Sequence, residues 1–443
     1  MTPPPVEVPP ITTPAVVPDA LPVVIDVEQI PMDQHHFSLR AKLRSTFLVA
    51  FAIFALGNIY CSFLNPFEFD PFKFSYRGWA WWTMNDLKRT ASVHNVAVLG
   101  SSLMVSAVAG CDANYLKKSL DLTRYHHVTY LDDLLKKHIG GTFDTFNLSA
   151  PGQMPSDAYL ALRAMVSTSS RPDVVVYGVA PRDFVDSMLS GPNDTDHFKY
   201  LTRFVNIDDV ATHEFRSPWS KLEWCMQRLV FLYGNSLDFR LAFGDATTDA
   251  VNKFMPKPPT NHPFTWWDRT KILPRYMPAE IHPEAVMSTP LVAQGIKFAD
   301  NTVEYKRRYS KPDPDTFKTQ MYFLRKLAEF CQRERIQLVL VNMPIMQSNV
   351  ALLDQQTYHQ YLAELRKFAW NTGCTYYDLC DFARYNKSDY HDTVHLNAFG
   401  GKKLFDSLVT ALKSEPRAAN ALAMSGMQLQ RNIALTNHPK RTY

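Results

Sequence analysis

Five short runs beyond residue 92 constrain the fold more than any other feature. They read as β-strands, most of them apolar on both faces, and stretches with helical spacing separate them; the runs cover 95–100, 142–150, 172–180, 336–344 and 374–379. Strands that are apolar on both faces lie inside parallel sheets that helices cover on each side. The pattern therefore predicts an α/β fold, a doubly wound parallel sheet of about five strands with flanking helices.

The sequence also predicts three helices, two between these strands and one after the last strand. Residues 156–169 open with Ser156 as the expected N-cap, 316–335 carry apolar residues at three and four spacing, and 400–413 repeat leucine every four residues. This periodicity is typical of helices that bury one face. We expect the last of them to close an α/β domain that spans 93–413, followed by a C-terminal tail (414–443) with a short helix at most.

A segment at about 184–315, rich in aromatic residues and proline, interrupts the alternation. It is too long for a plain loop, and we predict a mostly helical insertion. Because ligands bind at the carboxyl ends of the strands in open α/β sheets, an insertion that leaves from the third strand would hang over that edge. Two interpretations stay open: a lid or acceptor-binding subdomain, and a helical hairpin that contacts the membrane or forms oligomers.

The N-terminal region predicts a membrane anchor. Proline recurs through residues 1–38, which lack Lys and Arg, so 1–44 is expected to be a disordered cytoplasmic tail. Thr46 to Leu64 then runs without a charge, about the length that crosses a bilayer, which gives an anchor at 45–64. Basic residues precede this run, and the next one after it is Lys73, so the positive-inside rule places the N-terminus in the cytoplasm and the domain outside it. A buried core helix is the alternative.

The segment that follows the anchor, 65–92, is dense in Phe, Tyr and Trp. Such residues form belts at the membrane interface, or else a collar packed on the domain. We expect localisation as a single-pass membrane protein whose α/β domain is extracytoplasmic, on the periplasmic side of a bacterial inner membrane.

Composition excludes some partners. The formal net charge is +4 from 47 basic and 43 acidic residues, without the long basic runs that follow a phosphate backbone, so no nucleic acid is expected. Six cysteines are scattered without zinc-site spacing, so no metal is expected. Free buried thiols are favoured over a Cys374–Cys380 disulfide.

One serine and one short C-terminal motif carry the candidate chemistry. Ser102 follows an apolar strand and a glycine at the start of a helix, where free N–H groups would stabilise an oxyanion. Asp392 stands three residues before His395, a spacing that lets the carboxylate hold the imidazole while its other nitrogen takes a serine proton. The alternatives are an ordinary helix cap at Gly-Ser-Ser, and an N-cap at Asp392 with His395 as a surface residue.

Four blocks together resemble the SGNH (GDSL) hydrolase superfamily: "VLGSSL", "NLSAPGQMPSD", "VVVYGVAPRDF" and "DTVHLN", in the family's order. The resemblance covers about 93–413 apart from the insertion. It implies that Ser102 is the nucleophile, that Ser102 N–H and Gly152 N–H form the oxyanion hole, that His395 is the base and that Asp392 orients it. No cofactor is implied.

Two departures from the family pattern bear on function. Ser101 stands where the family has an aspartate, as in membrane-bound relatives that modify surface glycans. Arg182 lies where the third block has lost its asparagine, within Ala180, Pro181 and Arg182. Arg182 would supply charge to the oxyanion, or it would pair with Asp183 as scaffolding.

The anchor, the outward domain, the altered third block and the insertion resemble the O-acyltransferase branch more than secreted esterases. The resemblance implies a glycan acceptor and a membrane partner that carries acyl groups across. A carbohydrate esterase or lipase with the same triad is the alternative, and a non-catalytic binding or assembly component is the second. Aromatic residues of the insertion are expected to stack on sugar rings, or to form its own small core: Trp219, Trp224, Trp266, Trp267 and Tyr276.

Overall fold

The computed structural model describes residues 46–64, 72, 78–90, 93–168, 171–189, 191–211, 218–236, 239, 253, 286–291 and 297–436. The predicted cytoplasmic tail, most of 65–77 and the predicted stacking residues Trp266, Trp267 and Tyr276 lie outside these ranges.

Seven strands are described, and five of them form the predicted parallel sheet. In chain order they are β1 (Val96–Gly100), β2 (Leu120–Asp121), β3 (Thr145–Asn147), β4 (Val174–Val179), β5 (Met287–Ser288), β6 (Gln337–Asn342) and β7 (Thr375–Asp378). The sheet order is β3-β1-β4-β6-β7, and every neighbouring pair is parallel. This confirms the predicted fold class.

The order of the strands fixes where a ligand can bind. The chain leaves β1 to add β3 on one side and then crosses to add β4 on the other, so β1 and β4 flank the topological switch point. In open α/β sheets the crevice at the carboxyl ends of such strands is the usual binding place. Strands β1 and β4 are buried along their whole length.

The helices follow the periodicity of the sequence, and all three predicted helices are present. They are α1 (Thr46–Leu64), α2 (Trp79–Arg89), α3 (Ser102–Leu116), α4 (Thr129–His138), α5 (Pro155–Thr168), α6 (Arg182–Val185), α7 (Asp196–Leu201), α8 (Pro218–Leu229), α9 (Phe231–Gly234), α10 (Thr302–Arg308), α11 (Pro314–Arg333), α12 (Gln347–Val350), α13 (Gln355–Thr372), α14 (Ala398–Ser414) and α15 (Pro416–Thr436).

The predicted N-cap at Ser156 is wrong. Helix α5 begins one residue earlier, at Pro155, and Ser156 is fully buried inside it. The carboxylate of Asp157 takes the N-terminal role instead, because its Oδ2 accepts the N–H of Met154 at 2.8 Å. A proline suits the first turn of a helix, where its missing N–H costs nothing.

Helices α3 and α14 pack with their backbones in contact. A Cβ built on Gly401 would lie 2.4 Å from the carbonyl oxygen of Ala107, so only glycine fits there. On the facing side, a Cβ on Gly110 would lie 3.1 Å from the nitrogen of Ala398. This close approach brings the loop that precedes α14 against the start of α3.

The described parts of the insertion are short helices and one short strand. Helices α7 to α10 fall within it, and β5 pairs antiparallel with β2. Much of the insertion lies outside the described residues, so its fold as a whole stays a prediction.

Both ends of the chain add helices. Helix α1 is long and apolar enough to cross a membrane by length and composition. Helix α2, in the aromatic segment after it, buries Ala80, Met84 and Leu87 in the core, as a collar would. The C-terminal segment forms the 21-residue helix α15 rather than a short one, and Leu422 and Leu429 on it are buried.

Candidate active site

Ser102 is the first residue of α3, directly after β1. The turn between them depends on Gly100, whose φ is +153° and whose Cβ would lie 2.7 Å from Cβ of Met104. Ser101 occupies the N-cap position, but its side chain makes no capping hydrogen bond. The first turn of a helix has N–H groups without intrahelical acceptors, so Ser102 sits where backbone donors are free to bind an anion.

The structure brings Ser102 together with His395 and Asp392. Ser102 Oγ lies 2.8 Å from His395 Nε2, and His395 Nδ1 lies 2.6 Å from Asp392 Oδ2. These distances are within the range of hydrogen bonds that transfer a proton from a nucleophile to a base.

The two oxygens of Asp392 do different work. Oδ2 faces the imidazole, while Oδ1 accepts the N–H of Val394 at 2.9 Å and that of His395 at 2.8 Å. Burial opposes the charge on Asp392, yet the hydrogen bond and charge of His395 and these two N–H groups outweigh it and lower its pKa. The carboxylate is therefore ionised at neutral pH and fixes both the loop and the ring.

The loop that carries both residues is pinned at each end. Asn397 caps α14 by accepting the N–H of Phe399 and Gly400, and its amide donates to the carbonyl of Ser388 at 2.7 Å. On the other side, the hydroxyl of Ser106 on α3 donates to the carbonyl of Leu396 at 2.9 Å. The loop that carries His395 is thus held against α3, the helix that begins at Ser102.

Gly152 lies in the turn that follows β3, with φ at +79°. The neighbouring Gln153 fastens this turn to the end of β1: its Oε1 accepts the N–H of Gly100 at 2.8 Å, and its Nε2 donates to the carbonyl of Leu148 at 2.9 Å. A second bond joins the N–H of Ala150 to the carbonyl of Gly100 at 3.0 Å. The turn is therefore held beside Ser102.

Arg182 lies against the same turn. Its Nη1 donates to the carbonyl of Gly152 at 3.0 Å, and its Nη2 lies 3.7 Å from the position that a Cβ on Gly152 would take. Its Nε donates to Oδ2 of the fully buried Asp186 at 2.9 Å, and Arg308 Nη1 reaches the same oxygen at 2.6 Å. Arg182 is thus both salt-bridged and next to the candidate oxyanion donor, so its two predicted roles are compatible.

The hydroxyl of Ser101, which stands where the family has an aspartate, lies near the carboxylate of Asp183. Burial raises the pKa of Asp183 to about 6, while the charge of Arg182, the N–H of Ala180 and the nearby Ser101 hydroxyl act in the opposite direction. The N–H of Ala180 donates to Asp183 Oδ2 at 2.9 Å. Ser101 therefore sits beside the third block, and Arg182 is 3.6 Å from Asp183 Oδ1, as the scaffolding interpretation expects.

Of the predicted stacking residues, only two lie among the described residues. Trp219 is 75% exposed on α8. The guanidinium of Arg228 lies over the ring of Trp224, 4.4 Å from its centroid. A role for either in sugar binding stays a prediction.

Three residues that hold the site together are not predicted from the sequence. His197 contacts the carbonyl of Pro151 at 2.8 Å, Gln153 holds the turn of Gly152, and Arg308 completes the ion pair with Asp186. Gln153 lies inside a quoted block, but the other two lie in the insertion, where no motif marks them.

The described part of the chain also bears on the predicted metal and disulfide content. There, no group of three or more His, Cys, Asp or Glu side chains is arranged to hold a metal ion. All six cysteines are free, so the alternative of a Cys374–Cys380 disulfide is wrong for this structure.

Comparisons with known proteins find similarity among solved structures alone. No family model matches the chain, and no curated protein matches it. The chain is similar to a crystal structure of a "putative acylhydrolase" from Bacteroides fragilis NCTC 9343, at 9% identity and a TM-score of 0.30, over 74% of this chain and 93% of that one. At that TM-score the likeness carries no weight for the site, which rests on the distances above.

Proposed function

We propose that this chain is a serine-dependent acyl-transfer enzyme with Ser102 as nucleophile, His395 as base and Asp392 as the residue that orients it. The observation that carries the proposal is the unbroken series of hydrogen bonds from Ser102 Oγ through His395 to Asp392, at 2.8 and 2.6 Å. The proposal is supported by the match of these groups and distances to the geometry of a serine-hydrolase triad, which recurs on unrelated folds.

In the first half-reaction, Ser102 Oγ attacks the acyl carbonyl of the donor while His395 Nε2 takes the serine proton. The carbonyl oxygen becomes negative and is bound by the N–H of Ser102, the N–H of Gly152 and the guanidinium of Arg182. His395 then gives its proton to the leaving oxygen, which departs as an alcohol and leaves an ester on Ser102.

In the second half-reaction, an acceptor hydroxyl gives its proton to His395 and attacks the ester carbonyl. The bond to Ser102 Oγ breaks, the serine recovers the proton from His395, and the acyl group leaves on the acceptor. A sugar hydroxyl makes the enzyme an O-acyltransferase, and water makes it an esterase. The chemistry on the protein side is the same in both.

We propose a glycan hydroxyl as the acceptor. Two features support this acceptor: an insertion that leaves the carboxyl edge of the sheet after β4, and an exposed Trp219 of the kind that stacks on sugar rings. A transferase needs such additional structure because it has to exclude water and hold a second substrate. Hydrolysis by the same triad is the second candidate, favoured by the partial exposure of the site: the His395 side chain is 23% exposed.

We further propose that helix α1 anchors the protein with its N-terminus in the cytoplasm and the catalytic domain outside it, where a membrane partner delivers acyl groups. The basic residues that precede α1 support this orientation. A reporter enzyme that folds only outside the cytoplasm, fused after residue 436, is expected to be active. Activity only when the reporter is fused before α1 would reverse the topology.

The function is tested with the full chain in detergent. It is incubated with an aryl acetate, with and without an oligosaccharide, and both free acetate and acetylated sugar are measured. Acetylated sugar that is lost in Ser102→Ala, and kept in the exposed-surface control Ser414→Ala, supports transfer. Acetate release that the oligosaccharide leaves unchanged supports hydrolysis. Absence of turnover, together with absence of Ser102 labelling by an aryl phosphonate, would support a non-catalytic role.

A further inference from the structure

His197, on the first turn of α7 in the insertion, contacts the backbone of the candidate oxyanion turn. Its Nε2 lies 2.8 Å from the carbonyl oxygen of Pro151, the residue before Gly152. A carbonyl oxygen can only accept, so Nε2 carries a proton and donates it. Nothing in the triad or in the third block requires a histidine at this place.

The bonded carbonyl and the oxyanion donor belong to one peptide unit. The carbonyl of Pro151 and the N–H of Gly152 share a planar peptide bond, which is trans here as elsewhere in the described backbone. In a trans peptide the C=O and the N–H point in opposite directions. A donor that fixes the carbonyl of Pro151 therefore also fixes the direction of the Gly152 N–H.

The hydrogen bond also strengthens that N–H as a donor. A hydrogen bond to the oxygen of a peptide draws electron density from its nitrogen, and chains of hydrogen bonds polarise one another inside a protein. The developing oxyanion would thus interact with a peptide that is already polarised in the favourable sense. Such preorganised dipoles are the main source of oxyanion stabilisation in acyl transfer.

Thr195, two residues before His197, and Asp157 on α5 hold the start of α7 in place. Thr195 caps α7 by accepting the N–H of Phe198 at 3.2 Å, and its hydroxyl donates to Asp157 Oδ1 at 2.5 Å. The other oxygen of Asp157 accepts the N–H of Met154 at 2.8 Å, two residues after Gly152. The start of α7 and the oxyanion turn are therefore joined at two points.

The carbonyl of Gly152 is fixed separately, by Arg182 Nη1 at 3.0 Å. Consequently the two successive carbonyls in this turn each have a side-chain donor, one from the insertion and one from the third block. Burial lowers the pKa of His197, and the charge of Arg182 acts in the same direction. A neutral imidazole can still donate from Nε2, so the bond to Pro151 does not require a charge.

We propose that His197 is a positioning residue for acyl transfer, one that orients and polarises the Gly152 N–H through the carbonyl of Pro151. This role rests on the proposed function. It makes the beginning of the insertion a working part of the oxyanion hole, so that removal of the insertion would lower the rate of acylation itself.

The test uses the full chain in detergent, with an aryl acetate as substrate and three variants. His197→Gln keeps an amide N–H at about the reach of Nε2, His197→Asn carries the same group one carbon shorter, and His197→Phe keeps a ring without a donor. We expect kcat to fall about 10- to 100-fold in His197→Asn and His197→Phe, with KM changed less than about twofold. His197→Gln is expected to stay within about fivefold of the wild type. His359→Gln, on the exposed surface of α13, is the control.

A second readout separates orientation from general damage. In the acyl enzyme formed with a carbonyl-labelled acetate, the infrared stretching frequency of the ester carbonyl reports how strongly the oxyanion hole polarises it. We expect this frequency to rise in His197→Asn relative to the wild type and to His197→Gln. A loss of folded protein alone would lower the signal without moving it.

The outcomes separate the two proposals. Turnover in the wild type, with kcat and carbonyl frequency unchanged in His197→Asn, overturns the role of His197 and leaves the proposed function intact. Equal losses in His197→Gln and His197→Asn also overturn it, because the amide of Gln would then give no rescue. No turnover in the wild type overturns the proposed function and this inference with it.

Discussion

Replacement of Asp392 by Asn tests how the triad depends on its carboxylate. The side chain has two roles, since Oδ2 accepts from His395 Nδ1 at 2.6 Å and Oδ1 accepts the N–H groups of Val394 and His395 at 2.9 and 2.8 Å. An amide offers one acceptor oxygen and one donor nitrogen, so it cannot perform both. The outcome depends on which way the amide turns.

If the amide oxygen stays toward the two N–H groups, the amide nitrogen faces His395 Nδ1. That ring nitrogen has to accept, so the proton moves to Nε2, which can no longer take the proton of Ser102. The opposite orientation keeps the productive tautomer but sets an NH₂ group against two backbone donors. Two lost hydrogen bonds cost about 1–3 kcal/mol each, so the unproductive orientation is favoured by about 2–6 kcal/mol.

This preference predicts that kcat for an aryl acetate falls by about 30-fold to 10⁴-fold in Asp392→Asn, because a factor of ten corresponds to about 1.4 kcal/mol. KM and the melting temperature are expected to change little, since the loop keeps both backbone hydrogen bonds. Asp381→Asn, at an exposed loop residue, is the matched control. If Asp392→Asn retains activity within about threefold of the wild type, His395 does not act as the base in the way described.

Three further predictions follow from the packing and the buried charge. Gly152→Ala is expected to cost about 1–2 kcal/mol of stability because φ is +79°, and to lower kcat at least about tenfold by shifting an oxyanion donor; chemical denaturation and steady-state kinetics measure the two effects. Gly401→Ala is expected to lower the free energy of unfolding by about 1–3 kcal/mol or more, since its Cβ would lie 2.4 Å from the carbonyl oxygen of Ala107; an unchanged melting temperature would contradict the backbone contact between α3 and α14. Burial raises the pKa of Asp157 to about 7, so this group binds a proton more tightly in the folded than in the unfolded chain; its stabilising contribution is complete below about pH 4 and lost as the pH rises through 7. Asp157→Asn is therefore expected to flatten the loss of stability between pH 4 and 7 in denaturation curves, and an unchanged pH slope would show that Asp157 does not titrate in this way.

The parts of the fold that the sequence predicts well are those with a local signal. The five strands of the sheet are short, apolar and separated by amphipathic stretches, and each is observed inside its predicted run. Ser102 and the pair Asp392 and His395 could be matched because each lies at a recognisable boundary, the start of α3 and the loop before α14. Residues 293 apart in the chain then meet because α3 and α14 pack against each other.

The parts that sequence reasoning missed depend on contacts between distant segments. His197 reaches Pro151 across 46 residues and Arg308 reaches Asp186 across 122, and neither residue type is unusual in an insertion. Serine is a common N-cap, so the sequence favours Ser156 for the capping of α5, whereas Asp157 makes the contacts to Met154 and Thr195. Both residues are buried, and a single sequence carries no information on which of two adjacent polar side chains finds hydrogen-bond partners.

The structure also sharpens one ambiguity that the sequence left open. The sequence predicts that Arg182 either supplies charge to the oxyanion or pairs with Asp183 as scaffolding. It forms ion pairs with Asp186 and Asp183 and also contacts the turn of Gly152. A guanidinium has five N–H donors, so it can serve a scaffold and a site together. Arg182→Lys keeps the positive charge but loses the several N–H donors of the guanidinium. Its kinetics would separate the contribution of the charge to the oxyanion from that of the scaffold.

The central claim is that Ser102 becomes acylated, and the most direct measurement is the intact mass of the full chain after rapid mixing with an activated acetate ester and an acid quench. We predict one acetyl adduct per chain, located by fragmentation on Ser102, formed more slowly in Asp392→Asn and absent in Ser102→Ala. An adduct that persists in Ser102→Ala, or a wild-type chain that turns over the ester without ever carrying an acetyl group on Ser102, would contradict the account.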